Sequence, residues 1–409
     1  MEAKRPKGLV SRVSGRLSGA AVRAVLRRLE AGRLEVVDRG RRLAFGPPAA
    51  DLRATVTVHD PAAWRGPLHG SLGLGEAYVA GAWDADDLVA LIRIAARELR
   101  DLDGLRGAVA RPRGLLHRLG HLVPDSTRSR ARENISAHYD LGNELFASFL
   151  DERMMYSCAY FPSPEASLEE AQLAKLERIC GRLELGPETH LLEIGTGWGG
   201  LAVHAASTYG CRVTTTTISR EQHELALGRV RQAGLEDRVT VLLQDYRDLE
   251  GRFDRLVSVE MIEAVGWRDF GVFFHRCSEL LAPDGLMLLQ AITIDDRLYE
   301  AEKGMRSFAN THVFPGGCLP SNQLIADCVA RETDLRQIWA EDITAHYPPT
   351  LAAWRERFHA AWGRLRGQGY DERFRRLWDF YLCSSEAGFR ERRIGDVQAL
   401  FAKPEYSSA

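Results

Sequence analysis

The sequence predicts an α/β protein, a parallel sheet with helices on both faces, preceded by a small N-terminal α+β domain. Three observations carry this expectation. Apolar strand-length segments at 190–194, 212–217, 239–243, 253–259 and 286–294 alternate with helix-length amphipathic ones, the pattern of linked βαβ units. His190-Leu-Leu-Glu-Ile-Gly-Thr-Gly-Trp-Gly-Gly200 reads as a buried strand, a glycine-rich turn and a helix start, the entry to a nucleotide-binding sheet. Residues 34–58 instead alternate apolar and polar positions, as short half-buried strands do.

A chain of 409 residues has room for two or three domains. Its 45% hydrophobic and 27% charged residues are ordinary for a globular protein. The net charge of −2 excludes a polycation, but the charge is uneven. Residues 1–49 hold twelve Lys/Arg and four Asp/Glu, and residues 106–132 hold seven Arg and one Asp. Such density suits an anionic surface, lipid headgroup or nucleic acid, and equally an arginine-rich solvated face. The seven cysteines (158, 180, 211, 277, 318, 328 and 383) show no CxxC or Cys/His spacing. Reduced thiols, no disulfide framework and no metal site are expected. No run of about 18 apolar residues predicts a membrane span, and the basic N-terminus lacks the apolar core of a secretion signal.

In chain order, Ala21, Val22, Val25, Leu26 and Leu29 fall at helical spacing among Arg23, Arg27 and Arg28. That face either packs on its own domain, which a small domain needs for a core, or meets a membrane surface. Leu34–Asp38 and Arg42–Gly46 read as a hairpin turning at Arg39-Gly40, and residues 52–58 as a strand. A helix is expected from Asp84 to about Arg100, then a basic linker over 101–132 punctuated by Pro112, Gly114, Gly120 and Pro124. Ser167 and Glu170 have the spacing of a capping box for a helix reaching about Leu185. The βαβ alternation follows. Residues 295–346 read as a long connection, and 350–363 and 371–390 as two aromatic-rich helices. The expected domains are therefore 1–100, the linker 101–132, and a catalytic domain over 133–409.

The strand ends gather Gly195–Gly199, Thr217–Gln222, Gln244–Tyr246 and Glu260–Glu263 along one edge. With Glu193 just before its first glycine, the loop resembles the S-adenosylmethionine (SAM) loop of class I methyltransferases more than a dinucleotide fingerprint. SAM has no pyrophosphate to cradle, so the third glycine need not fall at the phosphate spacing.

Four motifs taken together, Tyr156-Ser-Cys-Ala-Tyr-Phe161, Ile194-Gly-Thr-Gly-Trp-Gly-Gly200, Met261-Ile-Glu-Ala-Val-Gly266 and Phe314-Pro-Gly-Gly-Cys-Leu-Pro320, resemble the cyclopropane-fatty-acyl-phospholipid synthase family over nearly the whole chain. Gly75-Glu-Ala-Tyr-Val-Ala-Gly-Ala-Trp83 resembles the lipid-associated N-terminal domain of its full-length members. The resemblance implies transfer of the SAM methyl to the cis double bond of an unsaturated acyl chain. A carbocation then loses a proton to a bound bicarbonate and closes a cyclopropane. It implies SAM contacts at Tyr156, Ser157, Glu193, Gly195, Thr196, Gly197, Gly199, Thr217, Ile218, Ser219, Gln222, Gln244, Asp245 and Tyr246. The acidic residue usual after the second strand is missing at Thr217-Ile218-Ser219, and Gln222 takes the ribose role. The bicarbonate cradle would be Cys158, Glu263, the Ile292 backbone and Tyr347, with Gln290 where many bacterial members have His. Glu260 competes with Glu263, since a carboxylate beyond an apolar strand is costly unless paired or functional.

Gln290 cannot carry a proton. A different fate for the cation, leaving a methylene branch, therefore stands beside cyclopropanation. The implied partner is unsaturated phospholipid at the inner face of a membrane, with a cytoplasmic enzyme peripherally attached. No nucleic acid is implied, and there is room for a homodimer. Two other classes, a non-catalytic lipid-binding protein on a SAM fold and a small-molecule methyltransferase, share parts of the pattern.

Overall fold

The computed structural model describes residues 9–109 and 142–407. Their contacts define two compact units. The first gathers 9–109, 306–313 and 362–391, and the second 142–305, 314–361 and 392–407.

The first unit begins with α1 (Leu9–Leu26), β1 (Arg33–Asp38), β2 (Arg41–Phe45), β3 (Arg53–Val58), α2 (Gly70–Val79), β4 (Trp83–Ala85) and α3 (Leu88–Val109). The expected hairpin forms, with Arg39 and Gly40 both at positive φ as a two-residue turn requires. The sheet order is β2-β1-β3-β4, with β1 and β3 parallel. Val22 and Leu29 join Leu34, Val36, Trp64 and Ile94 in the core, so the N-terminal helix face packs on its own unit. Val25 stays 66% exposed. The helix α3 carries on through 101–109, which the linker expectation had as irregular. The rest of that segment lies outside the described residues.

The second unit opens with α4 (Asn143–Ala147) and α5 (Leu168–Arg182), the latter started by the Ser167/Glu170 capping box. Then come β5 (His190–Ile194), α6 (Gly200–Tyr209), β6 (Arg212–Thr217), α7 (Arg220–Gln232), β7 (Val239–Leu243), β8 (Phe253–Val259), α8 (Phe270–Leu280) and β9 (Leu281–Ile294). The chain continues through α9 (Asp296–Glu302), α10 (Phe308–His312) in the first unit, α11 (Asn322–Glu332), β10 (Arg336–Asp342) and α12 (Tyr347–Gly367). It ends with α13 (Glu372–Arg390) in the first unit and β11 (Ile394–Ala402) in the second.

The second sheet has the order β10-β11-β9-β8-β5-β6-β7. Strands β5 to β9 are parallel, as the βαβ pattern requires. Helices cover both faces through two cores, one with Phe270, Phe273 and Phe274 of α8, the other with Leu176, Leu201 and Val230 of α5, α6 and α7. Two strands depart from the expectation. Segment 295–346 contains helices and the edge strand β10, and β11 runs antiparallel between β9 and β10. Neither has the apolar run of a central strand: β10 is mostly exposed, and β11 carries Asp396 and Gln398 inside. Strand β5 pairs β6 on one side and β8 on the other, so the strand order reverses there. The crevice beyond the carboxyl ends of such strands is where open α/β sheets bind ligands.

Candidate active site

The glycine loop leaves β5 at this reversal. Gly195, Gly197 and Gly199 have φ of 105°, 51° and 84°, a backbone region other residues enter only with strain. The N–H groups of Gly195 and Thr196 both donate to the Thr216 carbonyl at 3.0 Å, which pins the loop to β6. Gly199 starts α6, and a Cβ there would stand 3.1 Å from the Ala226 methyl of α7. Around Gly197 such an atom would meet nothing within 4 Å, so its backbone is open to a ligand.

Buried side chains brace the loop from below. The Thr215 hydroxyl donates to Glu193 Oε2 at 2.6 Å and lies 2.7 Å from the Thr196 hydroxyl. Burial pushes the Glu193 carboxyl up to about 8. At the end of β6, Thr217 Oγ1 donates to Gln222 Oε1 at 2.8 Å and accepts the Ser219 N–H at 3.1 Å. Ser219 caps α7 by accepting the Gln222 N–H, and Ile218 lies half-buried between them. These bonds fix the Gln222 amide beside the strand end. Beyond β7, Gln244 donates its N–H to the Thr217 carbonyl at 3.0 Å. Asp245 receives Arg247 Nε at 2.9 Å and Nη2 at 2.7 Å. Tyr246 packs its ring on Phe273, centroids 5.5 Å apart, as part of the core.

Tyr156 sits among Phe146 (5.3 Å), Trp354 (5.3 Å) and Phe314 (6.3 Å). Its neighbour Ser157 accepts a 2.6 Å hydrogen bond from Lys175 Nζ. Lys175, on α5, is fully buried, and burial pulls its ammonium below the usual range. Its place in the buried helix stripe of α5 gave it no functional mark in the sequence. The open glycine, the braced Gln222 amide and the aromatic wall at Tyr156 suit SAM, whose ribose and charged sulfonium they would hold.

Beyond β8 and β9 lies a cluster of carboxyls. Glu260 Oε1 accepts the Cys158 N–H at 2.7 Å and Gln290 Nε2 at 2.9 Å, and Oε2 accepts the Tyr347 hydroxyl. Glu263 Oε1 accepts the Ile292 N–H at 2.5 Å, while its Oε2 is buried without a hydrogen-bond partner. Burial, then the charge of Glu260, raises the Glu263 carboxyl to about 8. Gln290 also donates to the Cys158 carbonyl (3.2 Å) and Asp396 (3.3 Å), and accepts from Gln398 (2.9 Å). The β9–β11 register, which sets Gln290 opposite Gln398 and Ile292 opposite Asp396, delivers the last two. The Cys158 thiol donates to the Ala159 carbonyl, is pushed up by burial and also interacts with Asp396, so this residue meets the cluster through both backbone and side chain. All five residues expected to act on the reacting chain, Cys158, Glu263, Gln290, Ile292 and Tyr347, thus meet in one cluster. Asp396 and Gln398 join it from a strand whose alternation the sequence did not reveal, and Glu260 stands at its centre.

The strand order, the glycine loop at its reversal and the polar strand ends define a class I SAM-dependent methyltransferase, with SAM as methyl donor. The chain belongs to the mycolic acid cyclopropane synthetase family, whose model matches residues 126–399. It is 41% identical over 359 residues to a tuberculostearic acid methyltransferase of Mycobacterium tuberculosis, covering 84% of this chain and 82% of that protein. It is 38% identical over 382 residues to the cyclopropane-fatty-acyl-phospholipid synthase of Escherichia coli K12, covering 90% and 92%. A solved mycolic acid cyclopropane synthase in complex with SAH and CTAB superposes with a TM-score of 0.63 at 31% identity, covering 66% of this chain and 98% of that one. The protein is a SAM-dependent C-methyltransferase of the cyclopropane-fatty-acyl-phospholipid synthase type.

Proposed function

We propose that the enzyme transfers the SAM methyl to the cis double bond of an unsaturated acyl chain in a phospholipid and closes a cyclopropane ring. The observation that carries this is the buried carboxyl–amide cluster joined through Tyr347 to the aromatic set of Tyr156, Phe314 and Trp354. An alkene is a weak nucleophile, so its reaction needs close in-line positioning away from water. Bound SAM supplies an electrophilic methyl on a sulfonium. Aromatic faces at Tyr156 and Trp354 stabilise the positive charge that appears on the lipid chain. A group within the cluster must then take a proton from that chain.

Bicarbonate is the acceptor that the resemblance implies, and the residues present do not fit it. The N–H groups of Cys158 and Ile292, the Gln290 amide and the Tyr347 hydroxyl already donate to Glu260 or Glu263. A further anion would meet the Glu260 carboxylate where three of these donors already converge, with Glu263 Oε2 left unpartnered beside it.

A second reading concerns the product. Proton loss from the new methyl closes the ring directly, and leaves a methylene branch where a 1,2-hydride shift first moves the cation onto the carbon bearing that methyl. Gln290, an amide with no proton to exchange, and the likeness to the tuberculostearic acid methyltransferase favour the branch. Expression in cells supplied with oleate, followed by NMR of the lipids, decides between them. Cyclopropane protons upfield of ordinary methylenes support the ring, and exocyclic vinylidene signals overturn it.

Access to membrane lipid is part of this proposal. Among the described residues no helix is long and apolar enough to cross a membrane. The excess of Lys/Arg in residues 1–49 supports peripheral binding to an anionic inner leaflet. Binding to anionic vesicles should weaken as salt rises, and salt-insensitive binding would remove that support.

A further inference from the structure

We infer that the Glu260 carboxylate is the enzyme's own proton acceptor, in the role that the family resemblance assigns to an exogenous bicarbonate. The inference rests on the methyl-transfer reading above.

A bound bicarbonate needs N–H and O–H groups converging on it. Here Cys158 N–H, the Gln290 amide and the Tyr347 hydroxyl converge on one side-chain carboxylate, and Ile292 N–H goes to a second, Glu263. The chain has furnished the anion itself.

The backbone says the same. Glu260 has φ of 48°, in the left-handed region, where a residue with a Cβ is strained by about 1 kcal/mol or more. It directly follows β8, and its N–H is held by the Gln290 carbonyl at 2.8 Å. That conformation turns the side chain toward Cys158, Gln290 and Tyr347.

Charge completes the case. Burial raises Asp396, and the charge of Glu260 raises it further, so Asp396 is kept neutral beside Glu260. Glu263 is likewise biased toward its neutral form. Burial raises the Glu260 carboxyl above its ordinary range, while the Tyr347, Cys158 and Gln290 donors and the buried Lys175 ammonium pull the other way, toward its ionised form. One negative charge among three carboxyls, opposite one buried cation, is the arrangement of least cost. A carboxylate raised by burial is also a stronger base than an exposed one.

The step balances without a co-reactant. After methyl transfer the lipid chain carries a carbocation. A C–H bond of the transferred methyl breaks, and the proton goes to a Glu260 carboxylate oxygen. The electron pair of that bond forms the new C–C bond of the ring to the cationic carbon or, where a 1,2-hydride shift has first moved the cation to the methyl-bearing carbon, the C=C bond of the methylene branch. Glu260, now neutral, returns its proton to solvent after product leaves.

The test uses the full-length enzyme, SAM and vesicles of dioleoyl phosphatidylglycerol, with S-adenosylhomocysteine release as the readout. Assays run in buffer stripped of carbon dioxide and in the same buffer with bicarbonate added. Equal rates are expected. A fall of about tenfold or more on stripping, restored by bicarbonate, would overturn the inference while leaving the methyl-transfer reading intact. No release in either buffer would overturn that reading itself. Glu260→Gly suits the φ of the position and removes the carboxylate while freeing its donors. It should lose about a hundredfold or more in stripped buffer and recover in part with bicarbonate, with SAM affinity unchanged. Full activity of this variant without bicarbonate would contradict the role of Glu260.

Discussion

Glu260 and Gln290 hold each other twice: the Glu260 N–H donates to the Gln290 carbonyl at 2.8 Å, and Gln290 Nε2 donates to Glu260 Oε1 at 2.9 Å. One is the first residue after β8 and the other lies inside β9, so the parallel pairing of these strands sets the geometry. Gln290 is fully buried and bridges to Cys158, Asp396 and Gln398 as well. Gln290→Leu keeps the volume and strands these partners in the interior. A loss of about 2–4 kcal/mol in unfolding free energy is expected by urea denaturation. A change under about 0.5 kcal/mol would mean that the network is not made in solution.

Glu263 keeps the Ile292 N–H on one oxygen and leaves the other buried and unpartnered beside Glu260. Glu263→Gln retains an acceptor for Ile292 and loses a carboxyl that can hold or release a proton. Turnover should fall by about tenfold or more while the SAM dissociation constant stays within about twofold. Equal losses in both would place Glu263 in cofactor binding.

Glu193 titrates far from the ordinary range of a glutamate, which gives stability a pH signature. Its carboxyl has an ordinary value of 4.5 and is held at about 8 in the fold. The folded state therefore binds this proton more tightly than the unfolded chain does. The contribution is full below about pH 4.5 and is lost as pH rises through about 8. Without SAM, Glu193→Gln should flatten the decline in Tm across that window. An unchanged slope would contradict the burial of this carboxyl.

The two outer glycines of the SAM loop serve packing and the middle one serves access. Gly199→Ala places a methyl 3.1 Å from Ala226 at φ of 84° and should cost about 1–3 kcal/mol of stability. Gly197→Ala meets open space at φ of 51°, so it should weaken SAM binding out of proportion to its smaller effect on Tm. Calorimetric titration with SAM and thermal melts of both variants separate the two effects.

In the first unit, Gly75 is pressed between rings, since a Cβ there would lie 2.3 Å from Phe308 and 2.6 Å from Phe380. Beside it, the Tyr78 hydroxyl donates to Asp379 at 3.0 Å under the Arg376 guanidinium. Gly75→Ala is expected to destabilise this unit by about 1–3 kcal/mol. A melt indistinguishable from wild type would contradict the packing.

The parallel half of the catalytic sheet was legible because its strands are short apolar or β-branched runs and the helices between them are amphipathic, so the period changes visibly along the chain. The glycine loop was legible because φ above zero demands glycine. Strand β11 was not, because its inward positions at Asp396 and Gln398 are polar and interrupt the alternation. Strand β10 is an exposed edge with no apolar signal. The carboxyl cluster was half legible. Glu263, Cys158 and Tyr347 came from motif resemblance, whereas the centrality of Glu260 depends on pairings across a hundred residues of chain that no local pattern encodes. The same holds for Lys175, whose buried ammonium on α5 reads in sequence as an ordinary polar helix position.

Methyl transfer from SAM to a lipid double bond is the reaction that this fold and site are proposed to perform. The direct measurement is S-adenosylhomocysteine release by the purified enzyme on vesicles of dioleoyl against distearoyl phosphatidylglycerol, with mass spectrometry of the recovered acyl chains. Release with the unsaturated lipid alone, matched by acyl chains one carbon heavier, is the predicted result. Release that is equal on both lipids, or that leaves the acyl chains unchanged in mass, would contradict it.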